Sequence, residues 1–229
     1  MILAAQLVVL GVLVVALMLL RRHWPYPSPL IRPFLPPQRR WPEAQIRGWL
    51  RTKRFHPGYL AFFDRDPERI VPSGPALLAP ADGLVTSVDC RDGIRYIVIA
   101  LSFWDMHVQR SPATGRVVSV ERLGATYTDG EGRDFAFLRD KYCPVQARTL
   151  FECNAGRVAV RQITSVAARR IETWVVPGQP VERGQRMGRI RLGSTVVLEA
   201  DASLACRVAV GERVRAGETA LLEVSEVAC

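Results

Sequence analysis

From Ile2 to Leu20 the chain is apolar, with only Gln6 and Gly11 breaking the run, and such a stretch has few environments open to it. As a helix it would span roughly 28 Å, the depth of a bilayer core. A cleavable secretory leader would carry a basic n-region and a small-x-small cleavage site, and neither occurs here. Arg21, Arg22 and His23 follow directly, and Arg32, Arg39 and Arg40 continue the bias. By the positive-inside rule the rest of the chain then lies in the cytoplasm, with Trp24 and Tyr26 suited to the interface. The expectation is a transmembrane anchor over residues 1–22, single-pass in the cell membrane, with the body on the cytoplasmic side.

Seven prolines between residues 24 and 42 forbid a regular helix there, so residues 23–41 read as a juxtamembrane connector. Residues 42–75 read as a short helical segment. Within it Glu43 to Leu50 is amphipathic behind Pro42, and Tyr59-Leu60-Ala61-Phe62-Phe63 packs on the core or grips the bilayer. From residue 76 to 229 the pattern turns β, with Ile94 to Leu101, Val117 to Val120 and Val158 to Ile163 as strand-like runs.

A weak repeat closes the chain. Val175 to Gly184 and Val208 to Gly217 share the spacing V-x-x-G-x-x-V-x-x-G, which puts a Gly at each bend and an inward Val between them. Hairpins of this hammerhead-like kind build barrel-sandwich domains. The expected fold is therefore mainly β, a barrel-sandwich domain with a few short helices behind one transmembrane helix. A biotinyl or lipoyl carrier needs a Lys at the hairpin tip, and no Lys follows residue 141. The net charge of +9 is carried almost wholly by Arg, with Lys only at 53 and 141. No nucleic-acid-binding signature accompanies it, so membrane or an anionic substrate fits better than nucleic acid. Five cysteines without a CxxC pair suit a reducing compartment. The three histidines at 23, 56 and 107 make no compact zinc set, and no metal site is expected.

Three segments carry the chemistry: Ala79-Pro80-Ala81-Asp82-Gly83, Phe103-Trp104-Asp105-Met106-His107-Val108 and Leu192-Gly193-Ser194-Thr195. Singly, Asp82-Gly83 and Gly193-Ser194 are turn pairs, and a lone His is usually structural. Together and in this order they resemble the phosphatidylserine decarboxylase family. The likeness runs over roughly residues 75 to 200, including Gly156 to Ile171 and Val181 to Ile190.

The resemblance implies a proenzyme that cuts itself between Gly193 and Ser194 and turns Ser194 into a covalent pyruvoyl cofactor. Ser194 Oγ would attack the Gly193 carbonyl, exchanging amide for ester. Loss of the α-proton and β-elimination would leave dehydroalanine, which hydrolyses to pyruvoyl with release of ammonia. A serine hydroxyl needs a base at neutral pH, and His107 is the natural one, with Asp82 fixing its tautomer. Asp82, His107 and Ser194 are thus the implied catalytic set. Phosphatidylserine would become phosphatidylethanolamine and CO2, using the pyruvoyl group as electron sink. The cleaved β chain, 1–193, and α chain, 194–229, would stay together, with the phospholipid and the membrane as the other partners; self-association is left open. Asp105 could be a surface acid or a local helper, and Arg110 a phosphate ligand or, preferably, a solvated charge. Cys143 to Arg148 departs from the Asn- and Glu-rich loop of compact relatives, and Thr195 stands where they often carry Arg or Ser. Two other readings stay open: a pyruvoyl decarboxylase for another amino-acid head group, and an inactive membrane-tethered protein that binds lipids or partners.

Overall fold

The computed structural model describes residues 2–23, 31–124, 145–165, 170–192 and 194–224, with backbone alone at 2–4, 21–23 and 194. Trp24, Tyr26, Cys143, Pro144 and Gly193 lie outside the described residues. The chain divides into two units, Met1–Arg54 and Phe55–Cys229.

In the first unit, α1 (Ile2–His23) is continuous. Among the described residues no helix is long and apolar enough to cross a membrane; side chains of α1 are described over residues 5–20, and all are exposed. The connector is less irregular than its prolines suggest. It holds a 3-10 turn at Arg32–Phe34 and a one-turn helix α2 (Pro37–Arg40), because Pro33 and Pro37 occupy first-turn positions where the missing N–H costs nothing. Helix α3 (Glu43–Thr52) starts behind Pro42 as its composition predicts and stops at Lys53 in the left-handed region, φ 56°.

The second unit opens with α4 (Pro57–Phe63), whose Tyr59 and Phe63 are buried while Leu60 stays partly exposed, so this cluster packs on its own unit. Thirteen strands follow among the described residues, β1 (Leu77–Leu78), β2 (Gly83–Arg91), β3 (Ile94–Leu101), β4 (Val108–Arg110), β5 (Gly115–Leu123), β6 (Gln146–Cys153), β7 (Gly156–Ile163), β8 (Arg170–Thr173), β9 (Pro180–Val181), β10 (Arg186–Arg191), β11 (Ser194–Asp201), β12 (Arg213–Val214) and β13 (Ala220–Leu222). The expectation of a mainly β body holds. Gln146 to Arg148 begins β6, so that part of the segment read as a divergent loop is strand.

Eight strands form one antiparallel sheet in the order β12-β2-β3-β11-β7-β6-β5-β9. The central strands are apolar on both faces and read as continuous runs. Ile97, Ile99 and Leu101 of β3 join the main core, while Tyr96 and Val98 join a second cluster with Ile163 and Val197.

The sheet is internally two-fold about the β11–β7 pair. β12 on β2 (Val214↔Gly83) matches β9 on β5 (Val181↔Gly115), and both valines are buried as the repeat predicts. Gly211 and Gly178, at φ 95° and 86°, form the equivalent bends, donating to Val85 O and Val117 O at 2.8 Å. A Cβ on Gly83 or Gly115 would overlap the carbonyl oxygen of Ala100 or Glu152, which restricts both positions to glycine. The halves differ at one place. β6 and β7 are joined by the tight hairpin around Asn154-Ala155, with Cys153 opposite Gly156. In the equivalent place Leu101 lies opposite Ser194, and the chain leaves and enters through separate connections. The hairpin is opened, and the candidate site lies there.

Candidate active site

β3 ends at Leu101 and residues 102–107 carry the chain to β4; β10 ends at Arg191 and two residues carry it to β11. β3 pairs with β11 through Leu101↔Ser194, and β4 with β10 through Val108↔Arg189. Both ends of one connection are thus hydrogen-bonded to both ends of the other. His107 and Ser194, far apart in sequence, sit on neighbouring connections, and the His107 carbonyl accepts from Ile190 N–H at 3.2 Å. Buried Gln109 donates to the same carbonyl at 2.9 Å and accepts from buried Gln162 at 2.8 Å, bracing His107 from behind.

His107 is fully buried. Its ring lies on Phe63 of α4, 4.2 Å between centroids. Burial pushes its pKa down to about 4, opposed in part by the Asp105 carbonyl. At neutral pH the ring is therefore uncharged. Nδ1 lies 3.0 Å from the Asp105 carbonyl, which accepts its proton and leaves the lone pair on Nε2. The tautomer is thus set by the backbone two residues upstream, where the sequence suggested Asp82.

Asp82 is held otherwise. Its carboxylate takes Arg69 Nη2 at 2.8 and 2.9 Å and the Ala216 N–H at 2.8 Å. The second contact follows from the internal repeat: in the other half Thr114 Oγ1 accepts from Arg183 N–H at 3.1 Å. Pro80-Ala81-Asp82-Gly83 and Pro112-Ala113-Thr114-Gly115 are the matching stretches, a signal legible in the sequence. A carboxylate where the other half needs only a hydroxyl is what Arg69 requires.

Asp105 is neither a surface acid nor idle. It is buried, its Oδ2 accepts from Ser102 N–H and Oγ at 2.8 and 2.7 Å, and its Oδ1 pairs with Arg213. Arg110 is not a solvated charge either, being buried and tied to Gly184 O and Asp66 at 3.0 and 2.8 Å. The segment after α4 is fastened down by such pairs, Asp64 to Arg189 and Asp66 to Arg110 and Arg186. Tyr59 Oη donates to Phe103 O at 3.2 Å, and Arg65 donates to Trp104 O. α4 therefore forms the roof of the connection that carries His107. Spacing could not reveal Phe63, Arg65 or Arg69, since each meets the site only through long-range packing.

Leu192, the second residue before Ser194, has φ 66°. For a residue with a Cβ this left-handed conformation costs on the order of 1–2 kcal/mol. Strain is thus stored next to the predicted scissile bond. A cavity of about 690 Å³ opens beside Asp82 and Asp105, bordered also by Arg69, Arg213, Arg215 and Glu218 among others. Among the described residues no cluster of His, Cys, Asp and Glu could hold a metal ion.

The family model described as phosphatidylserine decarboxylase matches residues 59–222. Three similar relatives each bear the name phosphatidylserine decarboxylase proenzyme. That of Desulfotalea psychrophila is 33% identical over 175 residues, 72% of this chain and 79% of the relative. That of Thermobifida fusca is 37% identical over 163 residues, 71% and 72% of the two chains. That of Burkholderia ambifaria is 32% identical over 176 residues, 73% and 80%.

Proposed function

The chain belongs to the phosphatidylserine decarboxylase family, and from that premise we propose that it is a proenzyme that cuts itself between Gly193 and Ser194 and decarboxylates phosphatidylserine to phosphatidylethanolamine. The observation that carries this is the double pairing of β3 with β11 and β4 with β10, which sets the His107 connection beside the Leu192–Ser194 step.

His107 is suited to act as the base in self-cleavage. It is neutral, its Nδ1 proton is engaged, and its lone pair lies on Nε2. In this reading Nε2 takes the Ser194 hydroxyl proton as Oγ bonds to the Gly193 carbonyl carbon. The Gly193–Ser194 C–N bond then breaks, and the proton passes to the freed nitrogen. The left-handed Leu192 raises the energy of the uncut chain next to that bond. Asp82 is a positioning residue here: it anchors Arg69 and the β12 turn, and its charge offsets the arginines around the site.

The backbone pairing of β11 supports a pyruvoyl group at residue 194. β11 is hydrogen-bonded to β3 and β7 along most of its length, so a new N-terminus at 194 keeps its place after the cut. When present, that group supplies an electron sink for the carbanion left by loss of CO2. The chain's own part is to exclude water with the Phe63 roof and to pass to the substrate α-carbon, through His107 Nε2, a proton that Nε2 first takes from the substrate ammonium.

We further propose that α1 spans the cell membrane with the second unit on the cytoplasmic side. The support is the apolar run of residues 2–20 followed by Arg21 and Arg22. A helix of 22 residues is about 33 Å long.

Intact mass spectrometry of protein purified from membranes tests the reading. Two pieces, 1–193 and a 194–229 piece bearing N-terminal pyruvoyl, are expected, and Ser194→Ala should remain one chain of 25.5 kDa without activity. A folded wild-type protein that stays uncut would refute it.

A further inference from the structure

The two-fold relation of the sheet supplies an internal comparison. Arg213 and Arg215 flank the buried Val214, at the edge of the cavity beside Asp82. Their counterparts around Val181 are Pro180 and Glu182. The repeated fold therefore does not require arginine at either place. Both are solvent-facing, with side chains 62% and 74% exposed, although they border a cavity. Arg213 shares Asp105 with Ser102. Among the described residues the Arg215 side chain pairs with Glu218, at 3.7 Å, and Glu218 already holds Arg69 at 3.2 Å.

We propose that Arg213 and Arg215 bind the phosphodiester of the lipid head group and so select a phosphorylated serine, an inference that rests on the decarboxylase reading. The geometry suits this. Ser194 pairs with Leu101 at the end of β3, and Gly83 of β2 pairs with Val214 between the two arginines, so residue 194 and the arginine pair lie three strand spacings apart, about 14 Å. An extended arginine side chain and a phosphoserine head group can bridge that span, with the amino group at residue 194 and the phosphate at the cavity edge. The planar guanidinium matches two phosphate oxygens at once. The substrate carboxylate is a poor match for this pair, because an arginine on the departing carboxylate would stabilise the ground state and slow the loss of CO2.

Calorimetric titration of the full-length Ser194→Ala precursor with glycerophosphoserine, serine and inorganic phosphate tests this without needing turnover. Arg213→Gln and Arg215→Gln should each weaken glycerophosphoserine about tenfold, equivalent to about 1.4 kcal/mol, and leave serine binding unchanged. Arg215→Lys should recover part of the loss. Equal affinity in all variants, or equal loss for serine and glycerophosphoserine, overturns the proposal. Inorganic phosphate binding as tightly as glycerophosphoserine also overturns it, since the site would then be one for free anions. If the head group binds through both arginines but wild-type protein never cuts itself, the subsite stands and the decarboxylase reading falls. An active wild-type enzyme whose arginine variants bind normally removes the subsite alone.

Discussion

Acid should destabilise this protein through one buried imidazole. In the unfolded chain His107 titrates at its ordinary 6.5, and in the folded chain burial holds it down to about 4. Between those values the unfolded state binds a proton that the folded state does not. Stability is then complete above about pH 6.5 and falls as pH drops toward 4, by about 1.4 kcal/mol per pH unit, or ~3 kcal/mol across the window. The chief carboxylate contributions fall lower. Burial would raise Glu172 and Glu218, but hydrogen bonds from Arg191 and Arg189 to the first, and from the Ile70 N–H and Arg69 to the second, hold both below the ordinary carboxylate value of 4.5. Their contribution is lost only beneath that. Urea unfolding of the Ser194→Ala precursor in detergent, followed by tertiary circular dichroism at about pH 7, 6 and 5, measures the slope. His107→Gln should flatten it. Phe63→Ala opens the ring to water, raises its folded-state pKa toward 6.5 and should shrink the fall. Wild-type self-cleavage should share the low acid limit, since the proposed base is the same group. A stability curve flat across this window, or a cleavage rate that halves near pH 6.5, would refute the argument.

Gly83→Ala should prevent stable folding, because its Cβ would overlap the Ala100 carbonyl in the β2–β3 pair; loss of soluble, protease-resistant protein is the measurement. Glu199→Gln leaves Arg148 and Arg161 facing a neutral amide in place of a buried carboxylate and should cost about 3 kcal/mol, read from urea midpoints. Asp66→Asn removes one ion pair from each of Arg110 and Arg186, so trypsin should cut at Arg65 and Arg69 several-fold faster, while an unchanged digestion rate would show that these pairs do not fasten the segment.

Much of the site's inventory was legible from local pattern. The Asp82, His107 and Ser194 segments, the strand Ile94–Leu101 and the glycine bends of the repeat are each written in short stretches, because turn chemistry and two-residue periodicity act over a few positions. The helix behind Pro42 is legible for the same reason. Arg110, by contrast, read as a solvated charge and is buried, since its partner Asp66 lies on a segment that folds back over β4. Likewise Asp82 suggested a partner for the imidazole, whereas it holds Arg69 and the Asp105 carbonyl takes the ring proton.

By itself the sequence determined an apolar helix from Ile2, a β body, and the order Asp82, His107, Ser194. The tertiary structure decided what those residues meet. Strand register opened one hairpin of a two-fold sheet and set the 102–107 connection beside Leu192–Ser194. Packing of α4 laid Phe63 on His107, and burial keeps its ring uncharged at neutral pH. Local pattern specifies which residues can form a strand or turn; desolvation and ion pairing depend on partners many residues away, which only the folded chain brings together.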